Sequence, residues 1–190
     1  MRQLLVVPIV HSQIDMGSAK EKLAEITKKA LGTAEFEHHQ AAIKEFWANL
    51  DKKLESSNRQ WSKTRIYQEG LPSVNEELIY KIIEGAADKG SVNYMLIRKL
   101  ITKGAMIEGT EDSMLLREAW DLIQKATKGE INPSDLEKGM NEIESKRDEI
   151  IADRINKTLK EGETGLLFLG AHHHINMLLD TDIVVKSLHF

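Results

Sequence analysis

Leu4-Leu5-Val6-Val7-Pro8-Ile9-Val10-His11 and Leu166-Leu167-Phe168-Leu169-Gly170-Ala171-His172-His173-His174 are two short apolar runs that each end in histidine. A strand buried on both faces of a parallel sheet reads as a short continuous apolar run rather than as an alternation. Open α/β sheets bind ligands at the carboxyl ends of their strands. Both histidine-bearing ends therefore fall where such a fold keeps its chemistry.

Between these runs the pattern alternates. Leu23, Ile26, Ala30 and Leu31 mark a short helix, and Phe36, Ile43, Phe46, Trp47, Leu50 and Leu54 mark a longer one by three- and four-residue spacing. Thr64 to Gly70 reads as a second strand, closed by Gly70 and Pro72. Two helices follow, the second running from Val92 to Lys103 with Ser91 as its N-cap. Gly104 to Gly109 reads as a third strand, and Met114 to Ile123 as a helix. Asn132-Pro133 opens the longest helix, because proline is tolerated in a first helical turn. Leu166 to Leu169 forms the fourth strand, a short helix begins near the histidines, and Asp182 to Leu188 forms a fifth strand. Strands alternating with helices predict one α/β domain over residues 1–190. Its sheet is mostly parallel, with four to five strands and helices on both faces.

Composition narrows the function classes. A net charge of −4 with no Lys/Arg-rich block gives no attraction for nucleic acid or for an anionic membrane surface. No apolar stretch has the length needed to span a membrane. The chain has no cysteine, so any metal site must use His, Asp or Glu, and the absence fits a cytoplasmic location. No glycine-rich phosphate loop follows the first strand, which argues against nucleotide binding.

The chemistry-bearing residues sit at the predicted strand ends: His11 after the first, Glu69 after the second, Glu108 on the third, and His172 to His174 after the fourth. Imidazole and carboxylate together hold Zn²⁺, Mn²⁺ or Fe²⁺ with positions left for water, or act without metal as a histidine base oriented by a carboxylate. Neighbouring side chains diverge, so one or two of His172, His173 and His174 can face a single site. Glu111-Asp112 reads as a charge pair at a helix N-terminus. His38-His39 falls off the apolar stripe of its helix and reads as surface.

The opening run with His11, the stretch Ile66-Tyr67-Gln68-Glu69-Gly70, the pair Arg147-Asp148 within Lys146 to Ala152, and the closing Gly170-Ala171-His172-His173 together resemble the TraB/PrgY and Tiki family. That group is related more distantly to the erythromycin-esterase and ChaN-like proteins. Pro8 stands where the family has glycine, and the closing motif points to His173 as the family histidine. The resemblance implies an α/β domain whose two terminal histidines and strand-end glutamate converge on one site. Tiki proteins are metal-dependent peptidases using Mn²⁺ or Co²⁺; erythromycin esterases open a lactone without an obligatory metal; ChaN-like members bind haem iron; TraB/PrgY members are linked to peptide-pheromone control.

The expectation is a soluble hydrolase, dependent on a divalent metal (Mn, Zn, Co or Fe), acting on a peptide, amide or ester bond of a small-molecule or peptide substrate. His11, Glu69 and His173 would bind the ion or activate water, with Glu108 as a further ligand or base. Arg147 would stabilise negative charge, oriented by Asp148. The alternative is a non-catalytic ligand- or metal-binding regulatory protein that retains the pocket.

Overall fold

The computed structural model describes residues 1–9, 28–29 and 32–188. His11 and the short helix expected around Leu23 to Leu31 lie outside or largely outside the described residues. The described residues form five parallel strands and five helices. In chain order these are β1 (Arg2–Pro8), α1 (Thr33–Ser56), β2 (Thr64–Pro72), α2 (Glu76–Asp88), α3 (Val92–Thr102), β3 (Met106–Glu111), α4 (Ser113–Thr127), α5 (Pro133–Thr158), β4 (Thr164–Leu169) and β5 (Ile183–Ser187). Single 3-10 turns at Trp61–Lys63 and Asn176–Leu178 precede β2 and β5.

The strand order is β3-β2-β4-β1-β5, and every neighbouring pair is parallel. The central strand β4 explains the continuous apolar run at its source. Leu166 and Phe168 join one core with Trp47, Leu50 and Leu54 of α1, Ile83 of α2 and Ile97 of α3. Leu167 and Leu169 join the opposite core with Ile151, Ala152 and Ile155 of α5. Each side chain of the strand is thus buried against one helical layer or the other, which leaves no position for a polar residue. Trp47 stacks on Phe168 at 6.5 Å between ring centroids and ties α1 to the sheet centre.

Local signals set the helix starts. Asn75, Ser91, Asp112 and Asn132 each accept a hydrogen bond from a backbone N–H of the first turn of α2, α3, α4 and α5 respectively. Of the Glu111-Asp112 pair read as charges at this helix start, Asp112 is the cap, whereas Glu111 ends β3 and is fully buried. No helix of the described residues is long and apolar enough to cross a membrane.

The connections leaving β2 and β4 diverge: β2 leads outward to β3 at one edge, and β4 leads across β1 to β5 at the other. Adjacent strands whose connections part in this way leave a crevice at their carboxyl ends. Glu69 lies three residues before the end of β2, and Gly170 follows β4.

Candidate metal centre

Three elements supply the site. β2 carries Glu69, α5 carries Glu144, Arg147 and Asp148, and the turn after β4 carries His172 and His173. Tyr67 and Glu69 point to the same side of β2 by the two-residue period of a strand, and Tyr67 packs in the core beneath α5. Glu69 is thereby aimed at the middle of α5, one turn before Ile151.

Glu69 is fixed at both oxygens. Its Oε2 accepts the Gly170 N–H at 2.5 Å, and Arg147 Nη2 approaches Oε1 at 3.4 Å. A Cβ at Gly170 would lie 2.9 Å from Glu69 Oε2 and 2.9 Å from His172 Cε1, so the ends of both side chains would have to shift to admit it. Burial pushes the Glu69 carboxyl up, but His173, the Gly170 N–H and the Arg147 guanidinium outweigh it and hold the group down to about 2.

Arg147 is in turn held by Glu111, whose Oε1 and Oε2 accept from Nη2 at 2.6 Å and Nε at 2.9 Å. Glu111 Oε1 also accepts the Gly70 N–H at 3.1 Å. Burial alone would lower the guanidinium's affinity for its proton, but Glu111 and Glu69 reverse that effect and raise it.

His173 lies between two carboxylates. Its Nδ1 is 2.5 Å from Asp148 Oδ1, while Asp148 Oδ2 accepts the His174 backbone N–H at 2.8 Å. Its Nε2 is 3.2 Å from Glu69 Oε1. That nitrogen is buried, and this close contact with Glu69 falls short of full hydrogen-bond geometry. Burial draws the imidazole down, yet Glu69 and Asp148 outweigh it and keep the ring protonated to higher pH than usual. The half-exposed His172 places Nε2 at 3.9 Å from Glu69 Oε1 and 3.6 Å from Glu144 Oε1.

Glu69, His172 and His173 each offer one ligand atom, all within 4.8 Å of one another. Ligands held at about 2.1 Å around a tetrahedral ion stand about 3.4 Å apart. The 3.2 Å separation of His173 Nε2 from Glu69 Oε1 fits that edge, while His172 Nε2, at 3.9 Å from the same oxygen, stands farther out. The neighbourhood is acidic: Glu69 and Glu111 flank the Arg147 guanidinium, Asp148 and Glu69 flank His173, and Glu144 lies 3.6 Å from His172. An unpartnered buried imidazole nitrogen facing a carboxylate in this setting suits a divalent cation.

The structure thus brings Glu69, His173 and Arg147 together and adds His172, Glu111 and Asp148. Two expectations are corrected. Glu108 does not join the site: level with Tyr67, it is paired with Arg65 Nη1 at 2.5 Å and Arg154 Nη2 at 2.9 Å, a network completed by Arg65 and Glu163. Asp148 does not orient Arg147; it holds His173, and Glu111 holds Arg147. Glu111 was concealed by its position beside a helix cap, and its only sequence signal is its place at the carboxyl end of a strand. No family model, no curated protein and no solved structure matches the chain.

Proposed function

We propose that this protein is a hydrolase dependent on a divalent metal ion, held by Glu69, His173 and His172, acting on a peptide, amide or ester bond. The observation that carries the reading is His173: its Nδ1 is occupied by Asp148, and its buried Nε2 is left without a hydrogen bond, facing Glu69 Oε1. Asp148 holds one imidazole proton at Nδ1, so the proton that Glu69 favours on Nε2 is the one a metal ion would displace to reach that nitrogen's lone pair. Two nitrogens and one carboxylate, with no thiolate, suit Zn²⁺, Mn²⁺, Fe²⁺ or Co²⁺. Such an ion polarises a carbonyl and makes water a nucleophile near neutral pH.

The chain's own residues divide the remaining work. Asp148 orients His173 and supports its basicity. Arg147 and the Gly170 N–H hold Glu69 ionised and aimed at the centre, so Arg147 is a positioning residue, with Glu111 fixing its plane by a two-pronged contact. Glu144, on the solvent side of His172, is placed to receive a proton at the mouth of the site.

The short Asp148–His173 contact also supports a second reading, in which His173 Nε2 acts as a general base on water without metal. Hydrolysis of a panel of peptides, amides, esters and lactones before and after chelation separates the two. Activity lost on chelation and restored by added ion supports the metal reading, and chelator-resistant activity supports the base. A metal-loaded protein that turns over nothing would leave the ligand-binding alternative.

A further inference from the structure

A cavity of about 290 Å³ lies on the His173 side of the centre, across the carboxyl ends of β4, β1 and β5. Its wall is formed by Val6, Pro8, Leu169, Ile175, Val185 and Leu188, and it shares Gly170 and His173 with the metal-ligand cluster. Asn176 and Ser187 are its other polar side chains, and among the described residues neither Asp, Glu, Lys nor Arg lines it. The contrast with the opposite side is sharp. Beyond His172 lies a cavity of about 550 Å³ whose lining includes Glu144, Asp148 and Glu149. The two histidines therefore separate an uncharged aliphatic space from an acidic one.

We propose that the aliphatic cavity holds an uncharged, short aliphatic group on one side of the bond to be cleaved. The inference rests on the hydrolase reading and names the substrate feature that reading leaves open. Three observations select this occupant. The cavity is lined in part by Gly170 and His173, so a group seated in it lies beside the metal-ligand cluster. An ionised group placed there would lose its hydration with no countercharge among the described wall residues. The volume is at the small end of the range for ligand pockets, which fits a short chain rather than a large ring system. Val185 lies on the edge strand and contributes to the wall without belonging to the ligand cluster, which makes it the residue to vary.

The test uses two probes. Straight-chain alkyl hydroxamic acids of increasing length, which chelate metal through their head group, are titrated into the Zn²⁺-loaded protein. Straight-chain alcohols are titrated into the metal-free protein with methyl resonances of Val6, Val185 and Leu188 followed by NMR. Hydroxamate affinity is expected to rise about fourfold per methylene until the cavity is full. Val185→Phe should abolish this increment, and Val185→Ala should move the plateau to longer chains, while zinc affinity stays unchanged in both. A terminal carboxylate or ammonium on the chain should cancel the gain. Hydroxamates that bind with no dependence on chain length, or a dependence unmoved by both Val185 variants, would overturn the proposal. If the protein takes up no zinc, the metal reading fails separately, and the alcohol series decides the cavity: shifts confined to its wall support it, and their absence overturns it.

Discussion

His173 Nδ1 and Asp148 Oδ1 are 2.5 Å apart, and the same carboxylate accepts the backbone N–H of His174, so one aspartate on α5 fixes both the ring and the turn that carries it. The contact commits Nε2 to the centre. Asp148→Asn keeps the size of the side chain but removes the charge that favours this tautomer. Metal affinity is expected to fall 10- to 100-fold, as for other carboxylates that support a ligating histidine, with little change in circular dichroism. Calorimetric titration of the variant beside the wild type checks it, and unchanged affinity would show that Asp148 has no part in the centre.

Arg147 neutralises two buried carboxylates, Glu69 and Glu111. Arg147→Met leaves Glu111, which has no solvent exposure, without its countercharge, and Glu69 with His173 alone. Removing one partner of a buried pair typically costs about 3–5 kcal/mol. In a chain of this size that corresponds to a fall of about 10 °C in Tm. The double variant Arg147→Met, Glu111→Leu should recover part of the loss, because it removes the stranded Glu111 charge. Thermal unfolding of the three proteins gives the comparison.

The Glu69 carboxyl, held down to about 2, ties stability to acid in a defined direction. The unfolded chain binds this proton near pH 4.5, the folded chain only near 2. The contribution is therefore complete above about pH 4.5 and disappears as the pH falls through 2. Glu69→Gln should flatten this part of the profile, losing less stability than the wild type between pH 5 and pH 3. Parallel acid profiles of equal slope would contradict the assignment.

Two glycines give opposite expectations. Gly170→Ala puts a methyl group 2.9 Å from Glu69 Oε2 and should weaken metal binding at least tenfold by displacing that carboxylate. Gly85, inside α2, has nothing within 4 Å of a built Cβ and no positive φ, so Gly85→Ala should stabilise the protein by about 0.5–1 kcal/mol. Chemical denaturation and metal titration of both variants separate an effect on the site from one on the helix.

The sheet was readable because its central strand is apolar at every residue from Leu166 to Leu169, a pattern that burial on both faces demands. Strand limits were less so. β2 continues through Pro72 and β3 runs two residues beyond Gly109, because glycine there marks not an end but a close approach: a Cβ on Gly109 would lie 2.2 Å from the Pro72 carbonyl oxygen. Glu69 was legible as a carboxylate near the carboxyl end of a strand, although β2 runs three residues past it, and His38 and His39 are exposed as their positions off the stripe imply. The partners of Arg147 and Asp148 were not legible. Adjacent residues on a helix diverge by about 100°, so Arg147 turns towards Glu111 and Glu69 while Asp148 turns to His173. Which neighbour each meets is decided by the packing of α5 on the sheet. Glu108 shows the same limit, since its two arginine partners come from β2 and α5 and only the fold brings them together.

The central claim is a divalent ion held between Glu69 and His173, and metal titration of the wild type against His173→Ala tests it most directly. The protein, purified without a histidine tag and stripped by chelation, should bind one equivalent of Zn²⁺ or Mn²⁺ per chain. His173→Ala should weaken that binding at least 100-fold, whereas His174→Ala, whose ring is exposed and whose contact to Asp148 is through the backbone, should leave it within threefold. A wild type that takes up no ion, or a His173→Ala variant that binds as tightly as the wild type, would contradict the account.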